Sequence, residues 1–174
     1  MAITRRQLVI DGLALAGLGA TCVHAEDEQM SETDQMQFEL RPVGRVEQHK
    51  DYAELRIFEK YADALLGLEG WSHAFVMYWF DKNDTPKKRN ILRVHPRGNR
   101  ENPLTGVFAC RAPFRPNPIA LSLCKIVSVD GPVIRVEKID AFDGTPILDI
   151  KPYARGIDQP EGEIKVPQWT GWST

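Results

Sequence analysis

Short strand-like runs make up most of the chain between residues 38 and 153, and several of them alternate between apolar and polar residues. A period of two residues is typical of a β-strand that has one buried face. Turn-forming residues separate these runs, so each strand is expected to be short. The pattern predicts strands at residues 38–48, 55–57, 72–80, 91–95, 106–110, 119–129, 133–142 and 147–153.

The turns indicate how these strands pair. Asp130-Gly131 and Asp143-Gly144 separate the last three runs, and such dipeptides favour hairpins in an antiparallel sheet. Closing six or seven strands into a barrel removes the exposed sheet edges. A short helix is predicted where Tyr61, Leu65 and Leu66 follow helical spacing before a glycine. The expected fold is therefore mostly β, a small antiparallel six- or seven-stranded β-barrel with one or two short helices.

The first 25 residues have a different pattern. Arg5 and Arg6 precede an apolar run that ends in Val23-His24-Ala25, a small-residue cleavage signal. This order is typical of a twin-arginine leader and predicts export to the periplasm or cell envelope. The run is too short and too rich in glycine for a stable membrane span. Alternatively, translation starts at Met30 and the protein stays in the cytoplasm.

The remaining chain divides by composition. Residues 26–37 form an acidic linker, residues 38–153 the β-barrel domain, and residues 154–174 a polar C-terminal tail. The chain has 174 residues and a net charge of −2, which fits one domain with a leader and a tail and points to no particular partner.

The basic residues are concentrated in one stretch. Residues 87–115 hold eight lysines and arginines and one acidic residue, Glu101. Such a local positive field attracts polyanions such as nucleic acid, although a solvated loop also explains it.

Cysteine chemistry adds little to this. Cys22 falls in the leader, whereas Cys110 and Cys124 lie in apolar runs and show no metal-ligand spacing. This favours two thiols in the core over a disulfide.

A proline-rich loop stands out in the middle of the chain. Residues 112–118 read APFRPNP, and the prolines restrict the backbone of the loop before any ligand binds. Arg115 offers a fork of donors for a carboxylate or phosphate, and Asn117 offers both a donor and an acceptor. The loop is expected to form a ligand wall, with a structural turn that carries solvated arginines as the alternative.

Three segments together resemble a known family. They are LEGWSH at residues 68–73, GVFACRAPFRPNPIALS at 106–122, and DGTPILDIKPY at 143–153. They resemble the TsaA-like family of TrmO type, in its shorter archaeal form, over residues 38–153. The resemblance implies a small antiparallel β-barrel that forms a homodimer and binds S-adenosylmethionine near the subunit contact. It implies methylation of N6 of threonylcarbamoyladenosine beside the anticodon of tRNA.

The resemblance also implies site residues. Arg111 is expected to hold the carboxylate of the cofactor, and Asp140 to accept hydrogen bonds from its ribose hydroxyls or amine. Phe80 and Leu121 are expected to form an apolar wall. The expected cofactor contacts are Phe80, Asp81, Arg111, Leu121, Glu137, Lys138, Ile139 and Asp140. The residues expected to face tRNA are Arg115, Asn117, Arg93, Arg97 and Arg100.

The catalytic residue stays open at this point. A nitrogen nucleophile must lose its proton, and the available acceptors are Asp140, Asp143, Asp149, His73 and His95. His73 is also explained as a structural residue, and Asp149 as a partner of Lys151.

Two alternatives to the methyltransferase remain. Residues 46–58 lack the PRQ-type loop found in many family members. Together with the leader, this favours an exported, non-catalytic module that binds a small ligand on the same barrel. The other alternative is an electrostatic nucleic-acid binder that uses the basic residues between 87 and 100.

Overall fold

Six strands pair into a closed antiparallel barrel in the computed structural model, which describes residues 38–171 of the chain. The barrel strands follow the order β1-β2-β7-β6-β3-β8, and β4 and β5 form a separate two-stranded sheet. The predicted fold class is thereby confirmed, whereas the predicted leader and acidic linker lie outside the described residues. The strands are β1 Gly44–Gln48, β2 Ala53–Ile57, β3 His73–Trp79, β4 Arg93–Val94, β5 Thr105–Gly106, β6 Ile119–Asp130, β7 Val133–Val136 and β8 Pro146–Pro152.

The alternating pattern places every second side chain inside the barrel. In β3, Ala74, Val76 and Tyr78 are buried, while the residues between them are half-buried. Leu55, Ile134 and Ile147 are at most 1% exposed and fill the barrel from three other strands. Burying such side chains contributes roughly 1.5–3 kcal/mol each, which makes this interior the main source of stability.

Gly44 allows the barrel to close. It pairs with Ile57 of β2 and with Ile147 of β8, so its backbone lies between two neighbours. A Cβ atom there would lie 2.4 Å from the carbonyl oxygen of Arg56, which is closer than any packed carbon can approach.

The helices are short and mostly of the 3-10 type. The predicted helix around Tyr61 is present as two 3-10 turns, Glu59–Leu65 and Leu68–Gly70, separated by Gly67 at φ 86°. The others are α1 Pro86–Arg89, α2 Arg155–Asp158 and the 3-10 turns Asp81–Asn83, Pro96–Gly98, Val107–Ala109 and Gln168–Thr170.

Some predicted strands are shorter in the structure or absent from it. The strand predicted at residues 106–110 is wrong, because only Thr105–Gly106 pairs and Val107–Ala109 turns into a 3-10 helix that buries Val107 alone. β1 begins at Gly44 rather than residue 38, and β4 is reduced to Arg93–Val94. β7 ends at Val136 rather than residue 142, because the chain then leaves the ladder and the Ile139 and Ala141 carbonyls bond to the Gln48 side chain.

One group of charged residues is built into the wall formed by β1, β2 and β7. Glu47 of β1 lies directly opposite Glu54 of β2, a pairing that would repel by itself. Arg56 bonds to Glu47 and lies 2.8 Å from Glu54, and Arg135 lies 3.1 Å from Glu54. We call these four residues the Glu54 network.

His49 completes this region. Its Nε2 lies 3.5 Å from Glu47 and 3.8 Å from Glu54, and its ring stacks on Tyr52. A ring nitrogen of His49 and a carboxylate oxygen each of Glu47 and Glu54 lie within 4.8 Å of one another, a spacing that is also found among the ligands of a metal ion. Both carboxylates are already bonded to guanidinium groups, so the cluster is explained as a charge network.

The barrel and the C-terminal residues belong to one compact unit that begins at Glu39. Within residues 38–171, no helix is long and apolar enough to cross a membrane.

Candidate functional site

A cavity of about 830 Å³ lies beside β6 and extends to the segment that follows β7. We call it the first cavity. Six of the eight residues expected to contact the cofactor line it: Phe80, Arg111, Leu121, Lys138, Ile139 and Asp140. Arg115, which was expected to face tRNA, lines it as well. These residues come from four separate parts of the sequence, and the barrel brings them together.

Side chains from the barrel hold the backbone around Asp140 in place. The Tyr78 hydroxyl donates a hydrogen bond to the Asp140 carbonyl. The Gln48 amide donates to the carbonyls of Ile139, at 3.2 Å, and Ala141, at 2.7 Å. Three consecutive carbonyls are therefore bonded to side chains, which fixes the bend that presents Asp140 to the cavity.

Tyr78 is the most buried polar side chain at this site. It is 3% exposed, and its hydroxyl also lies 3.2 Å from the Ser122 hydroxyl. Burial raises the pKa of Tyr78 above its ordinary value, and the nearby Asp140 charge adds to the effect. The hydroxyl therefore stays protonated and acts as a hydrogen-bond donor at neutral pH.

Arg111 and Asp140 bring opposite charges to the same cavity. Both side chains are exposed, and neither forms an ion pair within residues 38–171. Arg111 donates one hydrogen bond, 3.5 Å long, to the carbonyl of Leu121. Most of the donors of the guanidinium and the acceptors of the carboxylate are thus available to a ligand that carries a carboxylate and hydroxyl or amino groups.

The proline-rich loop is attached to the end of β3. The carbonyl of the buried Pro118 accepts a hydrogen bond from the Phe80 backbone at 2.8 Å. Arg115 donates to the Ala112 carbonyl at 3.4 Å, within the loop itself. The loop positions Arg115 at the first cavity, whereas Asn117 is exposed and lines neither cavity described here.

A second cavity of about 690 Å³ adjoins the first. The two cavities share Phe108, Cys110, Arg111 and Asp140. One wall of the second cavity is formed by residues 94–98, another by residues 109–114, and a third by C-terminal residues that include Trp169 and Thr170.

The remaining predicted contacts lie elsewhere. Asp81 and Glu137 are exposed and line neither cavity, and Glu137 bonds to Lys125 at 2.5 Å. This hydrogen bond lowers the pKa of Glu137. Arg93 and Arg100 are also exposed outside both cavities, while Arg97 lines the second cavity and donates to the Thr170 carbonyl at 2.7 Å.

Part of the basic stretch is used to hold the structure together. Arg89 forms two hydrogen bonds to the Asp84 carboxylate, at 2.5 and 3.0 Å, and Trp79 donates a third at 2.9 Å. The hydrogen bond from Arg89 is the main reason why the pKa of Asp84 lies below its ordinary value. Lys88 bonds to Asn83 and to the carbonyl of Lys82.

The five proposed proton acceptors occupy different surroundings. Asp149 pairs with Lys151 at 2.8 Å, Asp143 accepts from the Gln48 backbone at 3.0 Å, and His73 contacts Ser72 at 2.9 Å. None of these three lines either cavity, whereas Asp140 lines both and His95 lines the second.

His95 has a defined hydrogen-bonding state. Its Nδ1 lies 2.8 Å from the carbonyl of Asn102, and because a carbonyl only accepts, Nδ1 carries the proton. Nε2 is then the acceptor atom of the neutral ring.

The two cysteines within residues 38–171, Cys110 and Cys124, are free thiols in different surroundings. Cys124 is 1% exposed, and burial raises its pKa to about 11. The prediction of a core position is therefore confirmed for Cys124. It is wrong for Cys110, which is half-buried and lines both cavities.

Two parts of the site were not predicted from the sequence. Tyr78 lies in a strand that is apolar on both faces, HAFVMYW, so the sequence did not show that its hydroxyl would point into the barrel. The C-terminal residues that line the second cavity follow a polar segment without periodicity, so no sequence pattern indicated that they would form part of a site.

The chain is similar to several known proteins. It is 47% identical over 122 residues to a probable S-adenosyl-L-methionine-binding protein of Methanocaldococcus jannaschii, and the match covers 70% of this chain and 97% of that protein. It is 40% identical over 105 residues to the tRNA (adenine(37)-N6)-methyltransferase of Mus musculus, covering 60% of this chain and 24% of that enzyme. The chain thus spans about a quarter of the length of the mouse enzyme.

A solved structure supports the same relationship. The crystal structure of TrmO from Pseudomonas aeruginosa matches with a TM-score of 0.57 and 25% identity, over 74% of this chain and 62% of that one. Residues 36–159 match the tRNA-methyltransferase O N-terminal domain. This match covers more than half of the sequence and includes the whole barrel, so the chain belongs to the family of tRNA-methyltransferase O N-terminal domains.

Proposed function

We propose that this protein is an S-adenosylmethionine-dependent methyltransferase that modifies N6 of threonylcarbamoyladenosine beside the anticodon of tRNA. The observation that carries the proposal is the first cavity, where Arg111 and Asp140 lie with Phe80 and Leu121 in a volume of about 830 Å³. The names of the Methanocaldococcus jannaschii and Mus musculus relatives support the same cofactor and reaction class.

The residues of the first cavity fit the chemical groups of the cofactor. Arg111 provides the guanidinium fork that a carboxylate prefers, and Asp140 provides acceptors for hydroxyl or amino hydrogens. Phe80 and Leu121 provide apolar surface for the adenine or the methionyl chain. When bound, the cofactor supplies a methyl group whose bond to sulfur breaks as the bond to nitrogen forms, leaving a neutral thioether.

The protein has to align the two reactants and accept one proton from the nitrogen. Alignment comes from the bend at residues 139–141, which the side chains of Tyr78 and Gln48 hold rigidly. Asp140 and His95 are the two predicted acceptors that line a cavity, so both remain candidates to hold the proton. The variants Asp140→Asn and His95→Gln separate them by their effects on turnover at saturating S-adenosylmethionine, a condition that is needed because Asp140→Asn also removes a proposed cofactor contact.

The exposed basic residues fit a polyanionic acceptor. Arg93 and Arg100 are exposed outside both cavities, where they are accessible to the phosphates of tRNA. Each phosphate contact makes binding weaker as salt increases. Binding of tRNA is therefore expected to fall steeply with salt, whereas binding of the cofactor changes little.

A homodimer is part of the proposal. The residues Ile119, Leu121, Leu123 and Val127 of β6 are 36–54% exposed on one face of the strand, where the first three form an apolar row and Lys125 separates that row from Val127. Three of them also line the first cavity, so a second copy that covers this row would close the cavity. Light scattering of the purified protein is expected to give the mass of two chains.

The direct test is transfer of a labelled methyl group. Purified protein is incubated with methyl-labelled S-adenosylmethionine and with tRNA that carries threonylcarbamoyladenosine, and the label is counted in the nucleoside. Label in N6 is the expected result, and unmodified tRNA is the matched control. Binding of the cofactor without transfer would favour the exported, non-catalytic module. Absence of cofactor binding would remove the methyltransferase and leave only a module that binds another small ligand.

The compartment decides which of these functions is available to the protein in the cell. A mature chain that begins near Glu26 in the cell envelope supports the exported module. A cytoplasmic chain that begins at Met30 supports the enzyme. Sequencing the N-terminus of the protein isolated from each cell fraction distinguishes the two.

A further inference from the structure

The two cavities meet at a common wall. Phe108, Cys110, Arg111 and Asp140 line both of them. Ligands bound in the two cavities would therefore approach each other beside these four shared residues. A methyl donor and a methyl acceptor need such an arrangement, because the transferred carbon must reach the nucleophile directly.

The second cavity has the walls of a site for a flat ring. Trp169 and Phe114 provide aromatic surface, and Pro96, Pro113 and Pro167 provide rigid apolar surface. Bases bind to such surfaces by stacking, and tryptophan offers the largest face for it. The volume of about 690 Å³ lies within the range of small-molecule sites and exceeds what one base requires.

The C-terminal wall is held in place by several bonds. Thr170 is 4% exposed, and its backbone N–H and its hydroxyl both donate to the Pro167 carbonyl. Arg97 donates to the Thr170 carbonyl at 2.7 Å, which connects the wall to residues 94–98 on the other side of the cavity.

The backbone of Arg97 is unusual. Its φ is 60° and its ψ is 15°, and Arg97 is the one non-glycine residue with positive φ among the residues that the structure describes. A side chain in this left-handed region costs free energy, so such residues are found where the surrounding structure requires them. Here the strained residue is the one that bonds to the C-terminal wall.

We propose that the second cavity binds the planar base of the methyl acceptor, with Trp169 as its stacking surface and Arg97 as a positioning residue for the C-terminal wall. This inference rests on the proposed function and adds the location of the acceptor. It assigns a binding role to residues 166–170, which lie beyond the region matched to the family.

The test measures ligand binding in the second cavity alone, because the first cavity is filled beforehand. The full chain is saturated with S-adenosylhomocysteine, the product form of the cofactor, and is then titrated with the nucleoside N6-threonylcarbamoyladenosine. Calorimetry is expected to show saturable binding of the nucleoside. Trp169→Ala is expected to weaken this binding about tenfold or more, and to leave the affinity for S-adenosylhomocysteine within twofold.

A matched control uses another tryptophan. Trp71 is 42% exposed and lines neither cavity, so Trp71→Ala is expected to leave both affinities unchanged. Arg97→Ala is expected to weaken nucleoside binding several-fold, with partial recovery in Arg97→Lys. An unchanged affinity for S-adenosylhomocysteine shows that each variant is folded.

The outcomes distinguish this inference from the proposed function. If S-adenosylhomocysteine does not bind, the proposed function fails and the inference fails with it. If it binds but the nucleoside does not, or if Trp169→Ala binds the nucleoside as tightly as the unmodified protein, the inference alone is overturned.

Discussion

The protein contains two groups of opposite charges that are arranged very differently, one in the barrel wall and one at the first cavity. In the Glu54 network, Glu54 is 7% exposed, and its carboxylate bonds to both Arg56 and Arg135. At the first cavity, Arg111 and Asp140 are exposed and neither has an ion-pair partner within the described residues. One group is satisfied by the fold itself, whereas the other keeps its hydrogen-bonding capacity for a ligand.

The difference separates structural charges from binding charges. A buried carboxylate needs partners, because desolvation without compensation costs several kcal/mol per ion. An exposed arginine needs no protein partner, because water solvates it. Its N–H donors can exchange their bonds to water for bonds to a ligand. Substitutions in the Glu54 network should therefore change stability, and substitutions at Arg111 and Asp140 should change affinity.

The largest effect is expected for Arg111→Ala. Loss of the hydrogen bonds between the guanidinium and the ligand carboxylate should weaken S-adenosylmethionine binding about 100-fold, or about 2.7 kcal/mol. Calorimetry measures the affinity, and urea unfolding should show a change in stability below about 0.5 kcal/mol. Arg93→Ala is the matched control, because Arg93 is exposed outside both cavities. Equal affinities of Arg111→Ala and the unmodified protein would remove Arg111 from the site.

For Glu54→Gln, we expect a change in stability and no change in affinity for S-adenosylmethionine. Arg135 loses its ion-pair partner, whereas Arg56 keeps its bond to Glu47. The side chains of Arg56 and Arg135 are 52% and 45% exposed, so water compensates for part of the loss. The free energy of unfolding should fall by about 1–2 kcal/mol, with unchanged affinity for S-adenosylmethionine. Glu69→Gln, at an exposed position, is the control for urea unfolding. A large loss of affinity without loss of stability would show that the two charge groups are not separate.

A smaller, pH-dependent effect on the free energy of unfolding is expected for Asp84→Asn. Its pKa is lowered chiefly by the hydrogen bond from Arg89, so the ion pair stabilises the fold above the ordinary pKa of aspartate. That contribution disappears as the pH falls through the lowered pKa. Because both side chains are partly exposed, Asp84→Asn should cost about 1 kcal/mol or less at pH 7.

Urea unfolding at several pH values checks this prediction. The difference in stability between Asp84→Asn and the unmodified protein should shrink as the pH falls through the lowered pKa of Asp84, and vanish below it. A difference that stays constant with pH would mean that the ion pair is not its source.

The smallest effect concerns the two thiols, compared in a Cys22→Ser background. Cys124 has a pKa of about 11, so only about one thiol in 1,000 is ionised at pH 8, and it should resist alkylation. Cys110 lines both cavities and should react, and S-adenosylhomocysteine should slow its reaction a few-fold. Mass spectrometry after iodoacetamide treatment measures both. Reaction at Cys124, or no protection of Cys110, would contradict these assignments.

The sequence predicted the parts of the molecule that depend on local patterns. The continuous apolar run of β3, the strand-like runs of β6 and β8 and the Asp-Gly turns pointed to the barrel, because strand composition and turn residues are local signals. These signals failed at residues 106–110, where local apolar composition resembles a strand but the chain must turn towards the cavity. The place where a strand leaves its ladder depends on tertiary bonds such as those from Gln48, and these have no local pattern.

The candidate site was predictable to a similar extent. The family resemblance pointed to Arg111 and Asp140, and the structure places both at one cavity. The second cavity was not predicted, because Trp169 and Arg97 are 72 residues apart in sequence and meet only through the packing of the C-terminal wall.

The most direct test is a crystal structure of the protein with S-adenosylhomocysteine. We expect the ligand in the first cavity, with its carboxylate bonded to Arg111 and its ribose hydroxyls or amine bonded to Asp140. A ligand bound away from this cavity, or bound in it with Arg111 and Asp140 both facing solvent, would show that these two residues do not form the cofactor site.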